Sequence, residues 1–299
     1  MPSSLRSPCQ DGFDAVLNFR DVGQTVNQYL QRKLVREGLL YRSGRLDDAS
    51  CRDRHRLKEE FRIRTILDLR TKTELLNAAK KHQEKAARNS ELGHIKSHDA
   101  AAEPLQIPGL RYREVKLTGR RFEMHLVRQL CWWSLFKFFF LFLAGYRMKA
   151  IAILGREVMQ PRGLVSLGLD TLDQSQPEIL EALESFLEPS ALPVLVHCTQ
   201  GKDRTGIIII LVLLILGIPT EAINFDYRLS DEALLPERES RLAEIREIGL
   251  TDEFGDTVKD MVPRVVAHLQ DKYGGPHGYL DVVGFDGPKR DQLKELLIQ

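Results

Sequence analysis

The residues best suited to chemistry in this chain are a cysteine and an arginine with five residues between them within VLVHCTQGKDRTG, Val194 to Gly206. A short apolar run, Pro193 to Val196, leads into a loop carrying Cys198 and Gly201, and the loop ends at Arg204 as a strongly apolar helix opens at Thr205. A strand, a loop and a helix N-terminus in that order predict a phosphate site. The first N–H groups of a helix have no internal partners, and the macrodipole adds partial positive charge there. Five intervening residues let the backbone curl until its N–H groups converge, so Thr199, Gln200, Gly201, Lys202, Asp203 and Arg204 are the candidate phosphate-binding residues. The guanidinium of Arg204 closes the ring with a planar fork that matches two phosphate oxygens, which a lysine would not supply. Gly201 permits a turn that a side chain would obstruct. The sulfur of Cys198 then lies beneath the phosphorus and is expected as a thiolate, the nucleophilic form.

The elements that must position this loop follow from the patterning. Leu39 to Tyr41 is a β-prone run between Gly38 and Gly44, and Ile63 to Leu69 is near-continuously apolar, as a central parallel strand would be. Between them Asp47 and Asp48 precede a charged amphipathic helix over 52–61. The order strand, helix, strand predicts an α/β fold: a central, mostly parallel twisted sheet flanked by helices. A helix is expected from Glu74, followed by a flexible loop to residue 104, and Leu110 to Leu117 alternates as a half-exposed strand. Residues 155–170 carry no clear pattern, whereas Gln174 to Leu187 is helical with Ile179, Leu180, Leu183 and Phe186 on one face. The helix from Thr205 to Leu216 is apolar on every face, only about three turns long and stopped by Gly217 and Pro219, which marks a buried central helix. A helical C-terminal region follows: Glu237 to Ile248, then Val258 to Leu269 with Pro263 expected to bend or restart it. A stop at Gly274 and a last helix from Asp286 complete it.

Residues 1–12 read as a loose tail and 13–299 as one domain, in which 120–160 is an apolar helical lid insertion. Leu130 to Ala144, LCWWSLFKFFFLFLA, is shorter than the roughly 20 residues a spanning helix needs and is flanked by Arg128 and Arg147. It reads first as a buried or lid-forming helix, second as a helix docked peripherally in a membrane interface through Trp132, Trp133 and the Phe cluster, and last as a true span.

Composition narrows the function classes. Lys plus Arg, 43, nearly cancels Asp plus Glu, 42, so a net charge of +1 excludes a nucleic-acid binder and makes any attraction for anions local. Cys9, Cys51, Cys131 and Cys198 are widely separated, with no C-x-x-C pair and no Cys/His cluster, which argues against a disulfide scaffold or a metal site. A reducing cytoplasm is the expected compartment, and MPSSLRSPCQDGF lacks the apolar stretch of a secretory signal.

HCTQGKDRTG resembles the signature loop of cysteine-dependent protein tyrosine phosphatases: histidine, cysteine, five residues, arginine, then a hydroxyl residue. NFRDVG, LLYRSGRL, IRTILDLRTKTE, the GKDRTG form of the loop and YGGPHGYL resemble a fungal and bacterial branch of these enzymes, so the resemblance covers most of the chain. It implies attack by Cys198 on a phosphomonoester to give a cysteinyl-phosphate, which water then hydrolyses, with Arg204 and the loop amides stabilising the equatorial oxygens and no cofactor or metal. It also implies that Thr205 hydrogen-bonds the sulfur, that Asp21 and Arg20 lie near the site, and that the substrate is a phosphotyrosine protein or a phosphoinositide. His197 is expected to organise the loop from behind rather than act as a base. The Trp-Pro-Asp that supplies the acid in many such enzymes is absent. Asp203 is therefore the first candidate for general acid, with holding the loop as its other reading, and Asp68 is the second, with a structural role as its other reading. Lys202 is read either as a cation at the pocket mouth meeting a second phosphate or as a solvated lysine. Two rivals of other classes stand beside the enzyme: a phosphate-binding pseudophosphatase, against which the intact Cys198, Arg204 and Thr205 weigh, and a membrane-associated scaffold organised by 130–144.

Overall fold

The computed structural model describes residues 12–91 and 106–299. The expected tail, apart from Gly12, and the loop expected after the helix from Glu74 lie outside the described residues. Five strands make one sheet: β1 (Arg20–Asp21), β2 (Leu40–Ser43), β3 (Thr65–Asp68), β4 (Arg111–Glu114) and β5 (Val194–His197), in the order β1-β2-β5-β3-β4. β2, β5, β3 and β4 run parallel, and the two-residue β1 pairs antiparallel to β2. Every residue of β2, β3 and β5 is buried, including Arg42 and Ser43 of β2, whereas the edge strand β4 keeps Arg111, Arg113 and Glu114 exposed. The register sets Ser43 and Asp68 level with His197, so three parallel strands deliver their following loops to one end of the sheet. Crevices at the carboxyl ends of such strands are where α/β folds bind ligands.

The helices are α1 (Val22–Leu30), α2 (Cys51–His55), α3 (Lys72–Glu91), α4 (Arg120–Val127), α5 (Trp132–Leu143), α6 (Arg147–Leu154), α7 (Gln160–Gln174) and α8 (Gln176–Glu184). After β5 come α9 (Asp203–Ile215), α10 (Thr220–Arg228), α11 (Ser230–Ala233), α12 (Arg238–Glu247), α13 (Met261–Tyr273), α14 (Pro276–Val283) and α15 (Gly287–Leu297). α9 is the axis of the main core. Every residue from Thr205 to Leu213 is buried, and the helix contacts α7, α8, α10, α14 and α15 as well as β5. Its end is the predicted one, at Gly217 with φ of 71°, but it starts two residues earlier, at Asp203.

Two expectations change. Residues 155–170, which showed no clear pattern, are helical: a wide turn over Gly155–Met159 continues into α7, which breaks at Gly163 with φ of 70°. Glycines hid the helix because each lowers its propensity, yet Gly155 is required by packing, since a Cβ there would stand 2.0 Å from the carbonyl of Ile248. Pro263 neither bends nor restarts its helix. It sits in the first turn of α13, where its missing N–H would have had no partner. Asp286 caps α15 by accepting from the amide of Lys289 at 3.2 Å, as predicted.

A second apolar cluster joins Phe122, Leu126, Leu130 and Val158 to Leu242, Ile245 and Phe254, tying α4 and the Gly155–Met159 turn to α12 and the turn that follows it. The inner face of α5 adds Leu135 and Phe138 to that cluster, while Trp132, Trp133, Phe136, Phe140 and Leu143 face solvent. The helix is therefore not buried; Ser134 is its one buried residue. No described helix is long and apolar enough to cross a membrane. Val35 bridges to Ile298, the amide of Arg36 donates to Leu297 and that of Gln299 to Leu34.

Candidate active site

β5 ends at His197, and the loop from Cys198 to Lys202 turns directly into α9, which starts with no side-chain cap on its orphan amides. Cys198 lies buried at the floor of this loop. The loop is held from behind by its carbonyls. Asn18 Nδ2 donates to the carbonyls of Gln200 at 3.0 Å and Gly201 at 3.1 Å, and Arg42 Nη2 donates to those of Gly201 at 2.7 Å and Lys202 at 3.3 Å. Because the N–H of a trans peptide points opposite to its C=O, drawing these carbonyls outward turns the amides of residues 201, 202 and 203 toward the concave side. Gly201 is required twice over: its φ is 66°, and a Cβ would stand 1.9 Å from the carbonyl of Ser43.

Beneath this brace the buried Asp226 binds two arginines, Arg20 Nε at 2.8 Å and Arg42 Nη1 at 2.6 Å. Burial alone would raise the pKa of Asp226, but the charges of Arg20 and Arg42 more than reverse it and keep the carboxylate ionised. Burial and repulsion from Arg20 in turn hold the Arg42 guanidinium below its ordinary value. Two cations share one carboxylate, so the underside of the loop carries uncompensated positive charge that an anion in the cradle would offset.

Arg204 is locked by a carboxylate that sequence reasoning did not assign. Glu74 Oε2 accepts from Nη1 at 2.7 Å and Oε1 from Nη2 at 2.6 Å, an end-on fork that leaves the Nε edge of the guanidinium for a ligand. Burial would raise Glu74, yet the charge and hydrogen bonds of Arg204 carry its pKa well below the usual carboxylate range, and Arg204 is pushed up correspondingly. Glu74 is positioned by a capping box at the start of α3: its Oε2 accepts from the Thr71 amide at 2.9 Å, and Thr71 Oγ1 accepts from the Glu74 amide at 3.3 Å. The Thr199 hydroxyl donates to the same carboxylate.

The other expected site residues sort clearly. His197 stands behind the loop with Nδ1 3.2 Å from the Cys198 carbonyl and Nε2 3.5 Å from Asp68, and burial holds its pKa below the ordinary value. Asp68 is forked by Arg70, Nε to Oδ1 at 3.0 Å and Nη2 to Oδ2 at 2.8 Å. Burial would raise its pKa, but His197 and Arg70 together lower it, which suits a structural anion and not a proton donor. Thr205 Oγ1 is buried and has no hydrogen-bond partner among the described residues, so it remains free to meet the sulfur or its adduct. Asp203 opens α9 with a partly exposed side chain whose buried inner oxygen, Oδ1, faces the Lys202 ammonium at 3.9 Å without a hydrogen bond among the described residues.

Two placements differ from expectation. Lys202 is not at a pocket mouth but fully buried, its ammonium donating to the carbonyls of Asp256 at 2.6 Å and Gly255 at 3.4 Å. Two carbonyls converge on the compact cation, Asp203 Oδ1 stands 3.9 Å from it, and the lysine ties the loop to the turn after α12. From NFRDVG the residues that reach the loop and its brace are Asn18 and Arg20; Asp21 instead caps α1 through the Gln24 amide and accepts from the Gly38 amide. Asn18, Arg42, Glu74 and Asp226 were missed as site residues. For Glu74 a signal existed in Thr71-x-x-Glu74, which announces a helix start at the end of a strand.

A depression beside the loop is lined by Leu17, Arg45, Thr199, Gln200, Arg241 and Glu244 among others, so α12 supplies one wall of the approach. Over 166 residues the chain is 31% identical to a tyrosine-protein phosphatase of Nostoc commune, which covers 50% of this chain and 56% of that protein. Over 122 residues it is 29% identical to the triple specificity protein phosphatase PtpB of Mycobacterium tuberculosis, covering 36% of this chain and 44% of that protein. The chain thus spans about half the length of the curated relatives it matches. The model of the tyrosine phosphatase family, by contrast, matches from residue 12 to residue 299. A match of that extent, reached from a cysteine cradled at an uncapped helix N-terminus, decides the matter: this chain belongs to the tyrosine phosphatase family.

Proposed function

We propose that the protein hydrolyses phosphotyrosine in proteins through a cysteinyl-phosphate. One observation carries the reading: Arg204 is held in a fork by Glu74 within electrostatic reach of the buried Cys198, with its Nε edge left for a ligand. The Cys198 thiolate attacks phosphorus in line, the P–O bond to the tyrosine breaks, and the leaving oxygen takes a proton. The loop amides and Arg204 hold the equatorial oxygens, whose charge they meet in the transition state. Water then attacks phosphorus, the P–S bond breaks, phosphate leaves and the thiolate returns, with the Thr205 hydroxyl stabilising the departing sulfur. Asp203 is the assigned proton donor, because its partly exposed carboxyl stands at the first turn of α9 next to Arg204. The substrate class follows the family and the name of the Nostoc relative. The phosphoinositide alternative loses the lysine that favoured it, since Lys202 is spent on Gly255 and Asp256. Access is assigned to the helical segment 120–160, which shares its apolar cluster with the α12 wall of the depression.

The test is phosphate release from a phosphotyrosine peptide, a phosphoserine peptide and phosphoinositides, with Cys198→Ser alongside. Release from the phosphotyrosine peptide by wild type alone is expected. Equal rates for wild type and Cys198→Ser would end the cysteinyl mechanism, and preference for the lipid would replace the substrate. Asp203→Asn is expected to slow esters with poor leaving groups more than aryl esters with good ones; equal slowing would leave Asp203 a structural role.

A further inference from the structure

Eight of the thirteen exposed large apolar side chains among the described residues fall within 132–146, although this is about one-twentieth of the chain. A patch that concentrated marks an interaction surface rather than the scatter normal on a soluble protein. It is built by one face of α5. Trp132, Phe136, Phe140 and Leu143 recur at four-, four- and three-residue spacing, so they share a face, with Trp133 on its flank. Trp132 is 78% exposed and Leu143 85%, against the 6% of Ser134 on the inner side. α5 packs chiefly on α6, leaving that face as the outer layer of the molecule.

Charge says what covers it. From Met124 to Arg156 there is no Asp or Glu, while Arg128, Lys137, Arg147, Lys149 and Arg156 all fall there. Arg128, Lys137, Arg147 and Lys149 are exposed and make no ion pair among the described residues; Arg147 and Lys149 instead lie over the rings of Phe142 and Tyr146. An apolar ridge rimmed by unpaired cations cannot close well on a second copy, because the rims would repel. It is complementary to a fluid apolar medium with an anionic surface, which moulds to a ridge and needs no groove to receive it.

We propose that the outer face of α5 docks on an anionic lipid bilayer, with Trp132, Phe136, Phe140 and Leu143 entering the interface and Arg128, Lys137, Arg147 and Lys149 meeting lipid phosphates. At 12 residues α5 lies in the plane of the interface and does not cross it. Docking also orients the enzyme. The cluster under α5 includes Leu242 and Ile245 of α12, the helix that places Arg241 and Glu244 in the wall beside Thr199 and Gln200. The docked module and one wall of the approach to Cys198 are therefore a single packed unit. This inference does not rest on which phosphoester is cleaved.

The chain carries its own probe, because its two tryptophans are Trp132 and Trp133. The 299-residue chain carrying Cys198→Ser, which removes turnover from the measurement, is mixed with phosphatidylcholine vesicles with and without phosphatidylserine. Expected are co-sedimentation with the phosphatidylserine vesicles, a blue shift of tryptophan emission, quenching by brominated acyl chains, and weakening of all three as salt rises. Phe136→Glu with Phe140→Glu keeps both tryptophans and is expected to weaken binding by on the order of tenfold per substitution, with far-UV circular dichroism reporting the fold. Lys137→Glu with Arg147→Glu spares the apolar face and is expected to abolish the preference for phosphatidylserine, so the proposal stays testable even if the first variant does not fold. Absence of co-sedimentation with both vesicles would overturn it. So would binding indifferent to both variants, or a lipid-free blue shift that grows with protein concentration alongside dimer formation in sedimentation velocity.

Discussion

At the scale of single residues, the site is set by groups that never need to touch a substrate. Glu74 spends both oxygens on Arg204, and that fork decides which edge of the guanidinium is presented. Glu74→Gln keeps the shape but cannot accept at both oxygens, so Arg204 loses its fixed orientation. The expected cost is about 10²-fold in kcat/KM on an aryl phosphate, the scale of a reacting group misplaced by an ångström. A variant within twofold of wild type would show that Arg204 is oriented by other means. Asp21 permits a pH test. Burial raises its pKa from 3.8 to about 6, so the folded state holds the proton more tightly than the unfolded one. That contribution to stability is complete below 3.8 and is lost as pH climbs through about 6. Urea midpoints of wild type should therefore fall relative to those of Asp21→Asn across that window, and parallel curves would remove the assignment. That Cys198, Gly201 and Arg204 share one loop between β5 and α9 was legible in the sequence because that placement is local, fixed by spacing and by the backbone. Lys202 was not, since a lysine's ordinary place is in water and nothing near it in sequence reveals that Gly255 and Asp256 will turn their carbonyls toward it.

At the scale of elements, the strand, loop and helix that form the cradle work only when braced by pieces from elsewhere. The brace is Asp226 on α10, gripping Arg20 of β1 and Arg42 of β2, and Arg42 in turn gripping the loop. Removing the shared anion leaves two buried guanidinium groups without their partner. Asp226→Asn is expected to destabilise the fold by about 3–5 kcal/mol, measured by urea unfolding, and to lower activity in the fraction still folded. A change under about 1 kcal/mol would mean that the arginines are satisfied by the carbonyls alone. The elements predicted from sequence were those with one unmixed signal: continuous apolar runs for β3 and β5, an all-apolar run with a glycine stop for α9, an Asp-Gly-Pro start for α15. Residues 155–170 escaped because Gly155, Gly163 and Gly168 interrupt the pattern, and only the close approach of Gly155 to Ile248 shows why the first of them is there.

At the scale of the molecule, the packing is uneven in a way that exchange can read. α9 and β5 are buried on every side, whereas α5 leans on α6 and leaves its outer face uncovered. Amide hydrogen exchange should find β5 and α9 opening only with global unfolding, and α5 and α6 opening well before it. Uniform protection across both would contradict the division into a sheet-centred core and a second cluster around α4 and α12. The α/β class and the parallel sheet were legible from element order alone. The pairing of NFRDVG with α10, across a separation of 206 residues between Arg20 and Asp226, was not, because side-chain partners that distant leave no periodicity to read.

That separation has a consequence for the order of events during synthesis. A ribosome releases Arg20 and Arg42 first, then Cys198, and only afterwards Asp226; the pairing of Leu297 to Gln299 with Leu34 to Arg36 comes later still. The nascent chain therefore carries Cys198 before it owns the anion that braces its loop, and the earliest strands wait for residues far downstream to hold them.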